Sequence, residues 1–136
     1  ANHLGVDLAV IDKYRPTYAE VHVMDVIGNV RGKRAILVDD LIDTAGTLVE
    51  GAQALKDRGV IEVYACATHP VFSEPALDRI KNSFLKEVVV TNTIPANSDE
   101  LRIRTNDKVR VLSVAPIFAE AIKRIYSELS VSELFL

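Results

Sequence analysis

Short apolar runs alternate along this chain with stretches whose apolar residues recur at helical spacing. Residues 8–11 (Leu-Ala-Val-Ile) read as a buried strand, and residues 21–27 alternate well enough for a second. Pro16 interrupts any ladder between them, so residues 12–20 form an excursion rather than a continuous strand. Gly28-Asn29 and Arg31-Gly32 then mark turns. Residues 35–38 (Ala-Ile-Leu-Val) are wholly apolar, with β-branched Ile36 and Val38, as in a strand covered on both faces.

Leu48, Val49, Ala52 and Leu55 follow at the spacing of one helix face, and Gly59 sits where a helix C-terminal cap belongs. Residues 63–68 are a further buried strand. Ser73 and Pro75 open a short helix carrying Leu77, Ile80 and Phe84, with Ser73 as its cap. Residues 87–91 and 109–113 are the next strands, and residues 92–106 read as a long polar surface loop. Pro116 opens a last helix striped by Ile117, Ala121, Ile122, Ile125 and Leu129. Strands separated by helical segments imply a mainly parallel sheet with right-handed crossovers and helices on both faces. The expected fold is a single α/β domain, residues 1–136, built as a three-layer sandwich.

Composition narrows the chemistry. The net charge is −3 and the pI about 5.6, which gives no basic footprint for nucleic acid. An anionic ligand would then be met by local groups. No apolar run is long enough for a membrane helix. Cys66 is the only cysteine, so no intrachain disulfide can form, and a cytoplasmic setting is expected. It falls in an apolar strand and reads as an inert core residue. His3, His22 and His69 lack metal-ligand spacing. The opening Ala-Asn-His-Leu-Gly resembles the last turn of a helix, and there is no initiator Met. The expectation is a chain that starts inside a larger protein.

The informative run is Asp39-Asp40-Leu41-Ile42-Asp43-Thr44-Ala45-Gly46-Thr47, between an apolar strand and a helix. In parallel α/β folds that carboxyl edge is where ligands bind. A helix start offers unpaired N–H groups and the positive end of the helix dipole. Small residues at Thr44, Ala45 and Gly46 let backbone approach an anion, and the Thr44 and Thr47 hydroxyls add donors. The run lacks the lysine of a Walker loop and is not Gly-x-Gly-x-x-Gly. A plain helix cap by Asp43 explains Thr-x-Gly-Thr equally well. Asp39 and Asp40 shift the balance, because carboxylates beside an anion need sugar hydroxyls or a divalent cation to satisfy them.

The run resembles the ribose-phosphate loop of the type I phosphoribosyltransferase fold, and within it the ribose-phosphate pyrophosphokinase family. Three more segments carry the resemblance: Ile11-Asp12-Lys13-Tyr14-Arg15-Pro16, Ala65-Cys66-Ala67-Thr68-His69-Pro70 and Ser130-Val131-Ser132-Glu133-Leu134-Phe135. It runs almost end to end and implies the C-terminal half of such an enzyme. The implied reaction transfers a diphosphoryl group from ATP, with Mg²⁺, to the 1-hydroxyl of ribose 5-phosphate. The resemblance further implies a homo-oligomer, an N-terminal half supplying most adenine and Mg²⁺ contacts, and ribose-phosphate contacts from Asp39 and from Asp43 through Thr47. Asp40 is open among a ribose hydroxyl, a metal ion and a turn cap.

Lys13 and Arg15 are two apart, so on extended chain they project to one side and Tyr14 to the other. A solvated charged loop would look the same. The resemblance makes them the cations of a protruding catalytic loop, where positioning and positive charge speed phosphoryl transfer. Arg15 also counts among the expected substrate contacts. The family usually has a second arginine at the position of Tyr14, so loop closure or rate is expected to differ. Ser130 and Ser132 are implied contacts of an allosteric phosphate or ADP site. A nucleobase phosphoribosyltransferase would need a pyrophosphate loop and a base-covering hood, and neither is apparent. A non-catalytic ribose-phosphate-binding subunit is the other alternative, opposed by the retained Lys13 and Arg15.

Overall fold

The computed structural model describes residues 1, 4–14 and 23–135, with the side chains of 13, 14, 23 and 24 left aside. Two strands, β1 (Val10–Tyr14) and β2 (Val23–Ile27), form an antiparallel pair in which Lys13 stands opposite Met24. The remaining strands make a separate parallel sheet in the order β3-β4-β5-β6 (Arg34–Ile42, Glu62–Pro70, Leu85–Thr91, Val109–Leu112). Between them run α1 (Gly46–Asp57), α2 (Ala76–Lys81) and α3 (Ser98–Thr105), and α4 (Ala115–Tyr126) follows β6. A 3₁₀ turn spans Ser132–Phe135.

The core lies between the sheet and α1–α3, which pack in succession against one another and the strands. Val63, Val88 and Val90 are essentially inaccessible, as are Ala52 on α1 and Ile80 on α2. Helix α1 ends as its apolar spacing and Gly59 require. Gly59, with φ +84°, donates to the Lys56 carbonyl at 2.9 Å, and Val60 donates to Leu55 at 3.1 Å. This is a Schellman closure, in which a left-handed residue satisfies the last carbonyls.

Several expectations need correction. Strand β3 does not stop at Val38 but continues through both aspartates to Ile42, because β4 pairs alongside it as far as Pro70. Its Ile36 and Val38 are 61% and 79% exposed, so the described residues cover it on one face only. Among the described residues α1–α3 form a single helical layer, and α4 buries none of its residues. Cys66, opposite Val38 in the register, lies on that uncovered face and is half-buried rather than core. Residues 92–106 are not all loop, since α3 occupies Ser98–Thr105. Ser73 caps nothing: α2 starts at Ala76, and its cap position is held by Pro75, whose ring offers no oxygen.

Candidate functional site

The loop joining β3 to α1 is only residues 43–45 long. Ala45 occupies the N-cap position with φ 59° and ψ 12°, a left-handed conformation, while its side chain is buried in the core. A methyl side chain cannot cap, and α1 has neither a side-chain cap bond nor an acidic residue in its first turn. The helical ladder starts with Val49 donating to the Ala45 carbonyl at 3.1 Å. The N–H groups of Gly46, Thr47 and Leu48 precede that first bond and form the positive end of α1. The alternative of a helix capped by Asp43 is therefore not what the chain adopts. A short left-handed step into an uncapped helix is a concavity suited to an anion.

Thr44 and Thr47 are exposed beside this helix start, as is Asp43. One oxygen of Asp39 accepts from the Asp40 amide at 2.9 Å, and one of Asp40 accepts from the Leu41 amide at 2.8 Å. Each carboxylate thus fixes its orientation locally and keeps a second oxygen for a ligand. A groove of about 420 Å³ runs from this point along β3, between α1 and residues 8–11. Its walls are apolar, with Leu37, Leu48, Gly51 and Ile11 among them, and among the described residues its only polar lining residues are Asp39 and Thr47. The strand that carries the acids and the helix that carries the threonine thus face one cavity.

The other expected residues are less closely gathered. Lys13 belongs to β1 rather than to an excursion, and Arg15 lies outside the described residues. Ser130 and Ser132 follow α4 in an exposed turn, where Arg124 donates to the Ser130 carbonyl at 2.9 Å and pairs with Glu133 at 2.6 Å. The Glu133 and Glu120 carboxylates raise the Arg124 guanidinium further above its ordinary value. No hydrogen bond among the described residues joins this turn to the cradle. His69 is engaged by Thr93, its Nδ1 lying 2.8 Å from the hydroxyl, with Thr91 and Thr93 both donating to the Thr68 carbonyl. Among the described residues no three His, Cys, Asp or Glu side chains assemble a metal cage. No helix there is long and apolar enough to cross a membrane.

The residue that sequence reasoning passed over is Arg79 on α2, which donates to the Thr44 carbonyl at 2.9 Å. Nothing in the pattern of residues 76–81 marks it, because its partner lies 35 positions earlier.

A parallel sheet with a three-residue turn into an uncapped helix, and carboxylates on the preceding strand, defines an α/β domain whose carboxyl edge has the form in which such folds take up ligands. Residues 9–136 match the family described as phosphoribosyl synthetase-associated domain, and the chain belongs to that family. It is 58% identical over 99% of its length to ribose-phosphate pyrophosphokinase of Caldanaerobacter subterraneus subsp. tengcongensis. It is 53% identical over the same share to the enzyme of that name from Clostridium tetani. The chain spans about two fifths of these relatives, 42% and 41% of their lengths. A crystal structure of phosphoribosylpyrophosphate synthetase from Mycobacterium smegmatis is similar in fold, with a TM-score of 0.80 at 38% identity. That likeness covers 93% of this chain and 39% of the other.

Proposed function

We propose that this chain is the C-terminal, ribose-phosphate-binding domain of a cytoplasmic ribose-phosphate diphosphokinase that acts as a homo-oligomer. The observation that carries the reading is the uncapped start of α1 behind a left-handed Ala45, with Asp39 and Thr47 lining one groove. In this reading the N–H groups and hydroxyls of residues 43–47 hold the 5-phosphate of ribose 5-phosphate. Asp39 and Asp40 accept hydrogen bonds from ribose hydroxyls through their uncommitted oxygens. The 1-hydroxyl attacks the β-phosphorus of ATP, the bond from that phosphorus to the α–β bridging oxygen breaks, and AMP leaves. Lys13 and Arg15 supply positive charge where negative charge develops on the transferred group.

Bound with ATP, Mg²⁺ would neutralise phosphate charge. It is commonly held by one or two carboxylates together with substrate phosphates and water. The hard oxygen donors of Asp39 and Asp40 would fit such a shared role, with Asp40 as the candidate ligand of the two. The three-layer sandwich typical of phosphoribosyltransferase folds belongs with this reading too. Exposed Ile36 and Val38, and Ile117, Phe118, Ile122 and Ile125 on α4, are surfaces that a further layer would cover. Ser130 and Ser132 are carried as contacts of a regulatory phosphate or ADP.

Calorimetric titration of ribose 5-phosphate into wild type and Thr47→Ala tests the cradle. Losing one charge-assisted contact should cost on the order of 1.5–3 kcal/mol, at least tenfold in affinity. Equal affinities would refute the assignment. The 136-residue chain alone is expected to bind the sugar phosphate without releasing AMP from ATP, and robust AMP release would show the ATP side to be present as well.

A further inference from the structure

We infer that Arg79 is a positioning residue for the anion cradle, holding the Thr44 peptide in the orientation that leaves the amides of α1's first turn open to a ligand. The inference rests on the cradle reading above and deepens it.

The starting point is an acceptor in need of a donor. The ladder of α1 begins at the Ala45 carbonyl, so the carbonyl of Thr44, one residue earlier, lies outside it. Arg79 Nη1 reaches that oxygen from α2 at 2.9 Å. Helix α2 is itself held in place by Ala76, Leu77 and Ile80, all buried, so the guanidinium extends from a fixed base. Because Thr44 and Ala45 share a peptide unit, fixing that carbonyl also fixes the direction of the Ala45 amide. The left-handed Ala45 that follows depends on the same peptide plane.

Gly46 carries the second observation. A Cβ at Gly46 would lie 3.3 Å from Arg79 Nη1, 4.0 Å from its Cζ and 3.8 Å from Thr44 Oγ1. The guanidinium therefore packs against the backbone of the first helical residue, and the missing side chain makes room for it. Glycine at this position is explained by the arginine as well as by the approach of a ligand. Among the described residues Arg79 makes no ion pair with a carboxylate within 4.0 Å, so its charge is not spent elsewhere. It reaches the loop that also carries Asp43, the residue before the Thr44 it holds, where a carboxylate would otherwise repel an anion. An arginine suits the position because its planar fork can hold a carbonyl with one N–H while presenting others to the loop.

The test titrates ribose 5-phosphate into wild type, Arg79→Met, Arg79→Lys, Gly46→Ala and the Thr47→Ala control, and records the thermal midpoint of each. Arg79→Met should weaken binding about 5- to 10-fold, the worth of one ordinary hydrogen bond, since the arginine holds the loop and not the ligand. Its thermal midpoint should fall by no more than about 2 °C, since the side chain is exposed and surface changes cost little. Arg79→Lys, with charge and one donor, should recover part of the affinity. Gly46→Ala should weaken binding in wild type and cost less in the Arg79→Met background, where the share of its effect that runs through the arginine is already lost. If Thr47→Ala weakens binding while Arg79→Met binds as wild type, the role of Arg79 is overturned and the cradle stands. A lowered midpoint with unchanged affinity would also overturn it, leaving a purely structural contact. If Thr47→Ala itself binds as wild type, the cradle reading fails and takes this inference with it.

Discussion

Thr105 is the one fully buried polar side chain of the core among the described residues, and its hydroxyl has two partners. Its Oγ1 donates to the Leu101 carbonyl at 2.6 Å and accepts from the Val109 amide at 3.2 Å. The second bond matters more. In the β5–β6 ladder the Val88 amide bonds to the Lys108 carbonyl, so the Val109 amide points away from β5 and relies on Thr105. Thr105→Val keeps the volume but removes the acceptor, leaving a buried N–H unsatisfied at about 1–3 kcal/mol. Taking about 2 kcal/mol, and about 4 °C per kcal/mol for a domain of this size, the thermal midpoint should fall by ~8 °C. Thr105→Ser keeps both bonds and loses one buried methyl, roughly 1 kcal/mol or about 4 °C. Thermal unfolding followed by circular dichroism gives the order wild type, Ser, Val. A Thr105→Val variant melting at or above wild type would show that the Val109 amide finds another acceptor and that the reasoning is wrong. Helix α3 packs on α2, which carries Arg79, so the same variant also asks how firmly the floor of the cradle is held.

Further outcomes follow from single contacts. Gly51→Ala on α1 should raise stability by roughly 0.5 kcal/mol. The helix gains about 1 kcal/mol over glycine, and the new Cβ crowds only the flexible end of Ile11 at 3.3 Å; a loss above about 1 kcal/mol on urea unfolding would mean that Ile11 cannot give. Ala45→Val should lower both stability, by about 2 kcal/mol, and ribose 5-phosphate affinity, because a β-branched residue resists the left-handed conformation. Retained affinity would separate the loop's shape from binding. Glu62 is held below the usual glutamate range by hydrogen bonds from Arg34 and Tyr64. Its contribution is present above that range and disappears as pH falls through the lowered value. The acid limb of a stability–pH curve should therefore be shallower in Glu62→Gln, and identical limbs would remove the pair from the account.

Much of the architecture was legible because its signals are local. The apolar spacing of Leu48, Ala52 and Leu55 and the stop at Gly59 announced α1, and the apolar run before it announced β3. What was hidden depends on distance or on ambiguity. Helix α3 buries only Leu101 and Thr105, too little for a periodic stripe. Its start was nevertheless written in Asn97, whose side chain accepts from the Asp99 and Glu100 amides at 3.0 and 3.3 Å. A run such as Ala-Ile-Leu-Val looks the same whether one face is covered or two. The reach of β3 through Asp39 and Asp40 came from the neighbouring strand, whose ladder overrides the poor strand propensity of aspartate. Arg79 could not be found by spacing at all, since its role exists only once the chain has folded.

The uncovered face of the sheet has a practical corollary. Its middle row sets Val38, Cys66, Val89 and Arg110 side by side in register, and Cys66 is the chain's single thiol. Thiol-directed alkylation can therefore label one residue only, at a place no residue of the cradle occupies. The rate of that labelling measures how often the face is laid bare. Anything that settles there, whether another stretch of polypeptide or a second copy, will register as a slower reaction long before its own structure is known.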